Sequence, residues 1–437
     1  MRRFRGPKQL CLDGYGHFWL RRGPEDAGRA NRPGPSKLCL FRDLGPIREL
    51  TGLTIPVTVT AFESVLDGRT LGWLDRWRRT RALFLRADTP EAERALGYGL
   101  EGRWARAQIY GRARRILIER AMPLLTDLEL KLGSEAARVR VSPEEEGQTK
   151  WDAVGNLMPL PLACRQIRCL WLVDLLQHGA LYVEFQPIFD LRSGEALGYE
   201  GLLRGRSSDG ALHLAEALFP AAHVLGIEQA FERLSWVSVF EAARRLPEGS
   251  LLFLNVNPLL LVGADASLAG LGWEAERMEF PYARLALDLV EVERVESLEK
   301  LSSALDVPHE LGVAIALDDV KSSYGLLKYC AGLTPRWVKV DSEITLGVAR
   351  DPQRRAILQL LSQVTRDGHA GLIAEGIESG EDLDVCLAEG VFAAQGYFLA
   401  RPAEAPAEAS PQFRAWLDSR GGRALPFEAP ARADPDH

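Results

Sequence analysis

The stretch "GVAIALDDVKSSYG", residues 312–325, decides the fold. An apolar run from Val313 to Leu317 stops on two adjacent aspartates, Asp318 and Asp319. Like charges side by side each disfavour ionisation of the other, so something at the end of this strand calls for two carboxylates at once. Working outward, the same texture recurs. Short apolar runs lie at 181–191, 196–205, 251–258, 284–291, 312–319, 337–341, 372–378 and 392–400, with helical spacing over 213–245, 296–310, 351–367 and 380–389. Repeated strand–helix units predict a mostly parallel sheet, and eight strands in this span predict a (β/α)8 TIM-like barrel. The runs 181–191 and 196–205 are joined by "DLRSGEA", too short for a crossover helix. They read as a hairpin, which makes one strand antiparallel.

Polar groups stand at the ends of these runs: Glu200, Asn255, Asp288, Asp318, Asp319, Lys339, Glu375 and Gln395. The carboxyl ends of barrel strands converge on one face, where chemistry sits. A lone strand-end Asp or Glu is ordinarily a helix cap or turn former. Five carboxylates and two carboxamides on one predicted face outweigh that reading. They would repel one another without cations, and an oxygen-only donor set suits Mg²⁺ or Mn²⁺ rather than zinc. Adjacent aspartates can serve two ions, and two ions can clamp the attacking and leaving oxygens of a phosphoryl displacement. A lysine inside "WVKVD" (337–341) is costly to bury unless it faces those anions.

The remaining composition sets bounds. The chain has 437 residues, 46% hydrophobic and 26% charged, with a net charge of −7, enough for two or three domains. The six cysteines, Cys11, Cys39, Cys164, Cys169, Cys330 and Cys386, form no CxxC pair and no Cys/His cluster, which argues against zinc and for a reducing, cytoplasmic setting. No apolar run nears the roughly 20 residues needed to span a bilayer, so no transmembrane segment is expected; "CLWLVDLLQ" (169–177) reads as a core helix. Residues 1–150 carry 28 Lys+Arg against 19 Asp+Glu, but the basic residues are dispersed. This reads as a solvated arginine-rich surface, and no DNA binding is expected. Residues 50–135 read mostly helical, notably "LGWLDRWRRTRALFL" (71–85) and "RARRILIERAMPLL" (112–125). "TIPVTVTAF" (54–62) reads as a strand and 142–162 as a linker. The expected organisation is an N-terminal region at 1–160 of unknown, regulatory function, a barrel at 165–410 and a C-terminal tail at 411–437.

The motifs resemble the EAL domains, bacterial cyclic di-GMP phosphodiesterases, over about residues 170–405. "FQPIFDLRSGEALGYEGLLR" is similar to the family's opening hairpin, with Glu200 at its metal-binding glutamate, although the signature reads Glu200-Gly201-Leu202. "LNVNP" carries Asn255 and "ALDD" carries Asp318 and Asp319. "LDLVE" matches with Asp288 as ligand and Glu291 as loop support. "VKVD" carries Lys339, and "AEGIE" carries Glu375, with Glu378 nearby as further loop support. "QGYFLARP" carries Gln395. The resemblance implies metal ligands Glu200, Asn255, Asp288, Asp318, Asp319 and Glu375. It implies catalytic roles for Lys339 and Glu375 and substrate contacts from Gln186, Arg204 and Gln395, Arg204 through phosphate. It further implies two Mg²⁺ or Mn²⁺ ions, cyclic di-GMP as substrate, linear pGpG as product and a homodimer through the barrel. Three departures stand out. Asp288 is one methylene shorter than the family's glutamate, and Val290 replaces a threonine. Lys321 and Ser323 replace two loop glycines, and Lys321 is expected to set a cation beside Asp318 and Asp319. These departures carry the alternative reading, a weak or inactive cyclic di-GMP receptor signalling through its N-terminal region.

Overall fold

The structure is a computed structural model describing residues 9–12, 18–21, 82–87, 108–110, 113–117, 139–144, 158–159, 165–166, 168–262 and 268–420. The chain divides into two compact units, Met1–Arg168 and Cys169–His437.

In the first unit the described residues up to Pro159 are strands. Gln9–Leu12 (β1) and Phe18–Arg21 (β2) form an antiparallel pair. Ala82–Ala87 (β3), Gln108–Tyr110 (β4), Ala113–Leu117 (β5), Val139–Glu144 (β6) and Met158–Pro159 (β7) form an antiparallel sheet in the order β4-β5-β3-β6-β7. The mostly helical expectation is therefore corrected at β3, β4 and β5, and the ends of the expected linker at 142–144 and 158–159 are strand. The rest of those stretches, and the expected strand 54–62, lie outside the described residues. The helical reading failed at β3 because "RALFLRA" satisfies helical and strand spacing alike. Such short runs are decided by cross-strand partners, here β5 and β6.

The second unit is a closed barrel. Its strands are Ala180–Asp190 (β8), Ala196–Arg206 (β9), Leu212–Leu214 (β10), Leu251–Val256 (β11), Leu285–Leu289 (β12), Ala314–Val320 (β13), Trp337–Val340 (β14), Gly371–Ala374 (β15) and Ala393–Ala394 (β16). The order around the barrel is β8-β9-β11-β12-β13-β14-β15-β16 and back to β8, with β10 added outside on β9. Strand β8 runs antiparallel to both its neighbours, and β9 and β11 to β16 pair in parallel. The expected hairpin is thus the feature that reverses one strand. The run 392–400 is strand only at Ala393–Ala394. Gly396, at φ +152°, turns the chain so tightly that a Cβ there would lie 2.2 Å from the Ile377 backbone.

The helices follow local signals. Leu298–Glu310, Pro352–Asp367, Gly380–Ala388 and Pro411–Ser419 each begin on a Ser or Asp whose side chain accepts a backbone N–H of the first turn. The expected helix 213–245 is two, Ala215–Leu225 and Glu228–Ala243, separated at Gly226 (φ +73°). "CLWLVDLLQ" is the helix Leu170–His178, which buries Leu172, Val173, Leu175 and Leu176. The tail begins as the helix Pro411–Ser419, whose Phe413 is fully buried and lies 5.1 Å from Phe189.

The barrel interior positions the site by strand periodicity. Ile188, Phe253, Ala286, Ala316, Trp337, Ile373 and Ala393 pack into one buried cluster. Side chains two residues apart on a strand share a face. The residue two further toward the mouth is Asn255 after Phe253, Asp288 after Ala286, Asp318 after Ala316, Lys339 after Trp337, Glu375 after Ile373 and Gln395 after Ala393. On the reversed strand β8 the same step leads back from Ile188 to Gln186.

Candidate active site

Lys339 is the hub. Its side chain is 1% exposed, and Nζ lies 3.1 Å from Glu200 Oε2, 2.7 Å from Asp288 Oδ2, 2.9 Å from Asp318 Oδ1 and 2.8 Å from Glu375 Oε1. Four strands deliver those carboxylates and a fifth delivers the ammonium. Gln395 Nε2 donates to Glu200 Oε2 at 2.8 Å and to Glu375 Oε1 at 2.7 Å, and Asn255 Nδ2 donates to Glu200 Oε1 at 3.1 Å. Gln395, expected to face the nucleotide, is hydrogen-bonded here to the carboxylate cluster.

The backbone explains the paired aspartates. The register between β13 and β14 shifts between Leu317 and Val320, and Asp319 adopts φ +53°. An extra residue at a bulge breaks the strict alternation that would send neighbours to opposite faces. Asp is among the few residues that tolerate the left-handed region. Carboxylate oxygens of Asp318, Asp319 and Glu375 consequently lie within 4.8 Å of one another, as do those of Glu200, Asp288 and Asp318. Gly376 follows Glu375 at φ +64°, where a Cβ would sit 2.5 Å from the Cβ of Ser342; glycine lets the Glu375 strand end approach the end of β14. The Thr345 hydroxyl donates to the Glu375 carbonyl and anchors that approach.

Electrostatics follow from burial with one cation among five carboxylates. Desolvation works against the Lys339 charge, but Asp288, Asp318, Glu200 and Glu375 together hold its pKa well above the usual lysine value. Burial likewise opposes the Glu200 carboxylate, yet Lys339, Gln395 and Asn255 hold it below its ordinary range. Burial pushes Asp288 well up, aided by Asp318, and pushes Glu375 well up against the pull of Lys339. Asp319 rises to about 7, from burial and then from Asp318 and Asp341. Three buried acceptor atoms on residues of this site have no hydrogen-bond partner among the described residues: Asn255 Oδ1, Asp288 Oδ1 and Gln395 Oε1. Orphaned oxygens beside excess carboxylate charge fit divalent cations with oxygen ligands.

Other expected residues are placed differently. Gln186 Nε2 donates to the Ala400 carbonyl at 2.7 Å. Arg204 sits on the part of β9 that continues past the barrel rim, where its Nε donates to Glu184 Oε2 at 2.9 Å. Glu291, at φ +53°, pairs with Arg294 three residues on rather than with loop 319–325, and Glu378 is exposed. Lys321 makes no ion pair with either of the paired aspartates among the described residues. Its Nζ lies 3.0 Å from Asp341 Oδ2 and 3.1 Å from Glu343 Oε1, which tethers the loop to the end of β14. Sequence reasoning missed Glu184, Asp341 and Thr345. The alternation of Tyr182, Glu184 and Gln186 on one face of β8 was the available signal for Glu184.

Among the described residues no helix is long and apolar enough to cross a membrane. The probable cyclic di-GMP phosphodiesterase PdeG of Escherichia coli is 26% identical over 231 residues, covering 52% of this chain and 45% of that protein. A cyclic di-GMP phosphodiesterase of Pseudomonas aeruginosa is 25% identical over 288 residues, covering 64% of this chain and 48% of that protein. The chain thus spans about half the length of these curated relatives. An EAL enzyme solved in its cAMP-bound form shares the fold at a TM-score of 0.50 and 19% identity, over 59% of this chain and 71% of that one. The family model of the EAL domain matches residues 171–402, from the helix before β8 to the turn after β16, and so takes in the closed barrel with its reversed strand and every strand end that meets at Lys339; the chain belongs to the EAL domain family.

Proposed function

We propose that the barrel hydrolyses cyclic di-GMP to linear pGpG with Mg²⁺ or Mn²⁺ bound among Glu200, Asn255, Asp288, Asp318, Asp319 and Glu375. The observation that carries this reading is the convergence of four carboxylates on Lys339 beside three orphaned acceptor oxygens. Two bound cations would supply a nucleophilic water at neutral pH and offset the phosphate charge. Glu375 accepts a proton from the attacking water, and Lys339 orients that water and keeps the carboxylates in register. Arg204 takes the non-bridging phosphate oxygens by charge-assisted hydrogen bonds. Gln186 and Gln395 turn their amides to the guanine portion once the substrate displaces their present partners. The same reading carries a homodimer through the barrel, a cytoplasmic setting, no DNA partner and a regulatory role for residues 1–160.

A second reading, a receptor that binds cyclic di-GMP without turnover, is favoured by one observation. The loop after the aspartates has lost its glycines, and Lys321 holds it against Asp341 and Glu343. Product analysis separates the two. The wild-type chain with Mn²⁺ should convert cyclic di-GMP to pGpG, and Asp318→Asn should abolish conversion while retaining weaker nucleotide binding. Binding without pGpG in the wild type would replace the first reading by the second. Wild-type turnover by Asp318→Asn would refute the metal assignment.

A further inference from the structure

Strands β8 and β9 pair with Gln186 opposite Glu200, Glu184 opposite Leu202 and Tyr182 opposite Arg204. All six side chains therefore share one face of the hairpin, which rises from the carboxylate cluster past the rim. On that face Glu184 is the diagonal neighbour of Arg204, within reach of a long side chain. The contact is made: Arg204 Nε donates to Glu184 Oε2 at 2.9 Å, with the two side chains 12% and 26% exposed. Arg204 Nη1 donates to the Leu203 carbonyl at 3.2 Å. A guanidinium has five N–H donors in a rigid fork. Two are thus engaged on the inner side, and Nη2 makes no hydrogen bond among the described residues. That outer edge is the part of the fork suited to phosphate oxygens.

We propose that Glu184 is a positioning residue. It fixes the Arg204 guanidinium by its Nε so that the Nη edge is held ready for a substrate phosphate. This deepens the proposed function and rests on it. An arginine otherwise samples many rotamers, and ordering it on binding weakens affinity. Arg206, the next cation on the same face, has no such partner among the described residues; its guanidinium lies 4.9 Å from the Tyr182 ring centre. Of these two arginines, only Arg204 is oriented by a carboxylate among the described residues. The competing effect is repulsion between Glu184 and the incoming phosphate, and Gln at this position distinguishes the two. It keeps an acceptor for Nε and removes the charge.

The test is calorimetric binding of cyclic di-GMP to the full chain with Ca²⁺, paired with steady-state hydrolysis in Mn²⁺. Glu184→Ala should weaken binding and raise KM by about 3- to 10-fold, the range for one unordered side chain, with kcat within about twofold of wild type. Glu184→Gln should return the affinity to within about twofold of wild type. If Glu184→Ala binds as tightly as wild type or more tightly, Glu184 does not position Arg204 and the proposal fails. A change in kcat with KM unmoved would overturn it equally. A wild-type chain that binds no cyclic di-GMP would instead refute the function on which the proposal rests, so the two failures are distinguishable.

Discussion

Replacing Lys339 by methionine keeps most of the side-chain volume and removes the one ammonium inside the carboxylate cluster. Four oxygens from Glu200, Asp288, Asp318 and Glu375 lie 2.7–3.1 Å from Nζ, which is buried. Removing one partner of a buried ion pair typically costs about 3–5 kcal/mol, because the remaining charge stays desolvated and uncompensated. The carboxylates here can relieve part of that cost by taking up protons, so about 4 kcal/mol is a fair value without metal. For a unit of this size each kcal/mol moves Tm by about 2–3 °C, which gives a fall of about 10 °C. The assay is thermal melting of wild type and Lys339→Met in EDTA and then in MnCl₂. Divalent cations can take over the counter-charge, so metal should raise the Tm of the variant more than that of wild type, through binding to the folded state alone. Hydrolysis should be lost in both conditions. A variant that melts within about 2 °C of wild type in EDTA would show that Lys339 does not hold these charges together.

Two further perturbations test other parts of the barrel. Glu232 is buried, accepts the Asn257 backbone N–H at 3.0 Å and has its pKa raised from 4.5 to about 7, by burial and then by Glu228. The folded state therefore keeps a proton that the unfolded chain has released. Stability falls as pH rises from about 4.5 to about 7, and the loss is complete above that, at most about 3 kcal/mol. Glu232→Gln should match wild type in urea unfolding near pH 4 and exceed it progressively up to pH 8; a gap that does not grow with pH would contradict the assignment. Phe413→Ala removes a fully buried ring packed on Phe189 and should cost about 3–5 kcal/mol in the same measurement. An unaffected midpoint would mean that the helix Pro411–Ser419 does not belong to the folded barrel.

What could be read from the sequence was governed by local period. Each strand-end polar residue stands two positions beyond an interior apolar one, so Asn255, Asp288, Asp318, Lys339, Glu375 and Gln395 could be assigned to one face before any pairing was known. Partner choice was not legible in this way, because it depends on register and backbone turn. Glu184 reaches Arg204 only because β8 and β9 pair with Tyr182 opposite Arg204. Glu291 turns to Arg294 because it occupies a left-handed position at the start of a short helical turn. In the first unit, β3 was misread because its apolar spacing is compatible with either period and its strand state rests on distant β5 and β6.

The adjacent aspartates show how the two kinds of information combine. Alternation along β13 would face Asp318 into the barrel and Asp319 away from it. Two carboxylates for one site therefore require a break in alternation, and the register shift at Leu317–Val320 with φ +53° at Asp319 supplies it. A left-handed residue at a bulge is ordinarily glycine. Here aspartate occupies it, and the loop that follows has no glycine until Gly325. The strain is offset by contacts rather than by backbone freedom, for Lys321 reaches across to Asp341 and Glu343, and Asp341 in turn accepts the Glu343 N–H at 2.6 Å. Asp341 is two residues beyond Lys339, immediately past the end of β14, so the tether that holds the loop and the lysine that gathers the carboxylates share one short segment. A change that moved the end of β14 would displace both.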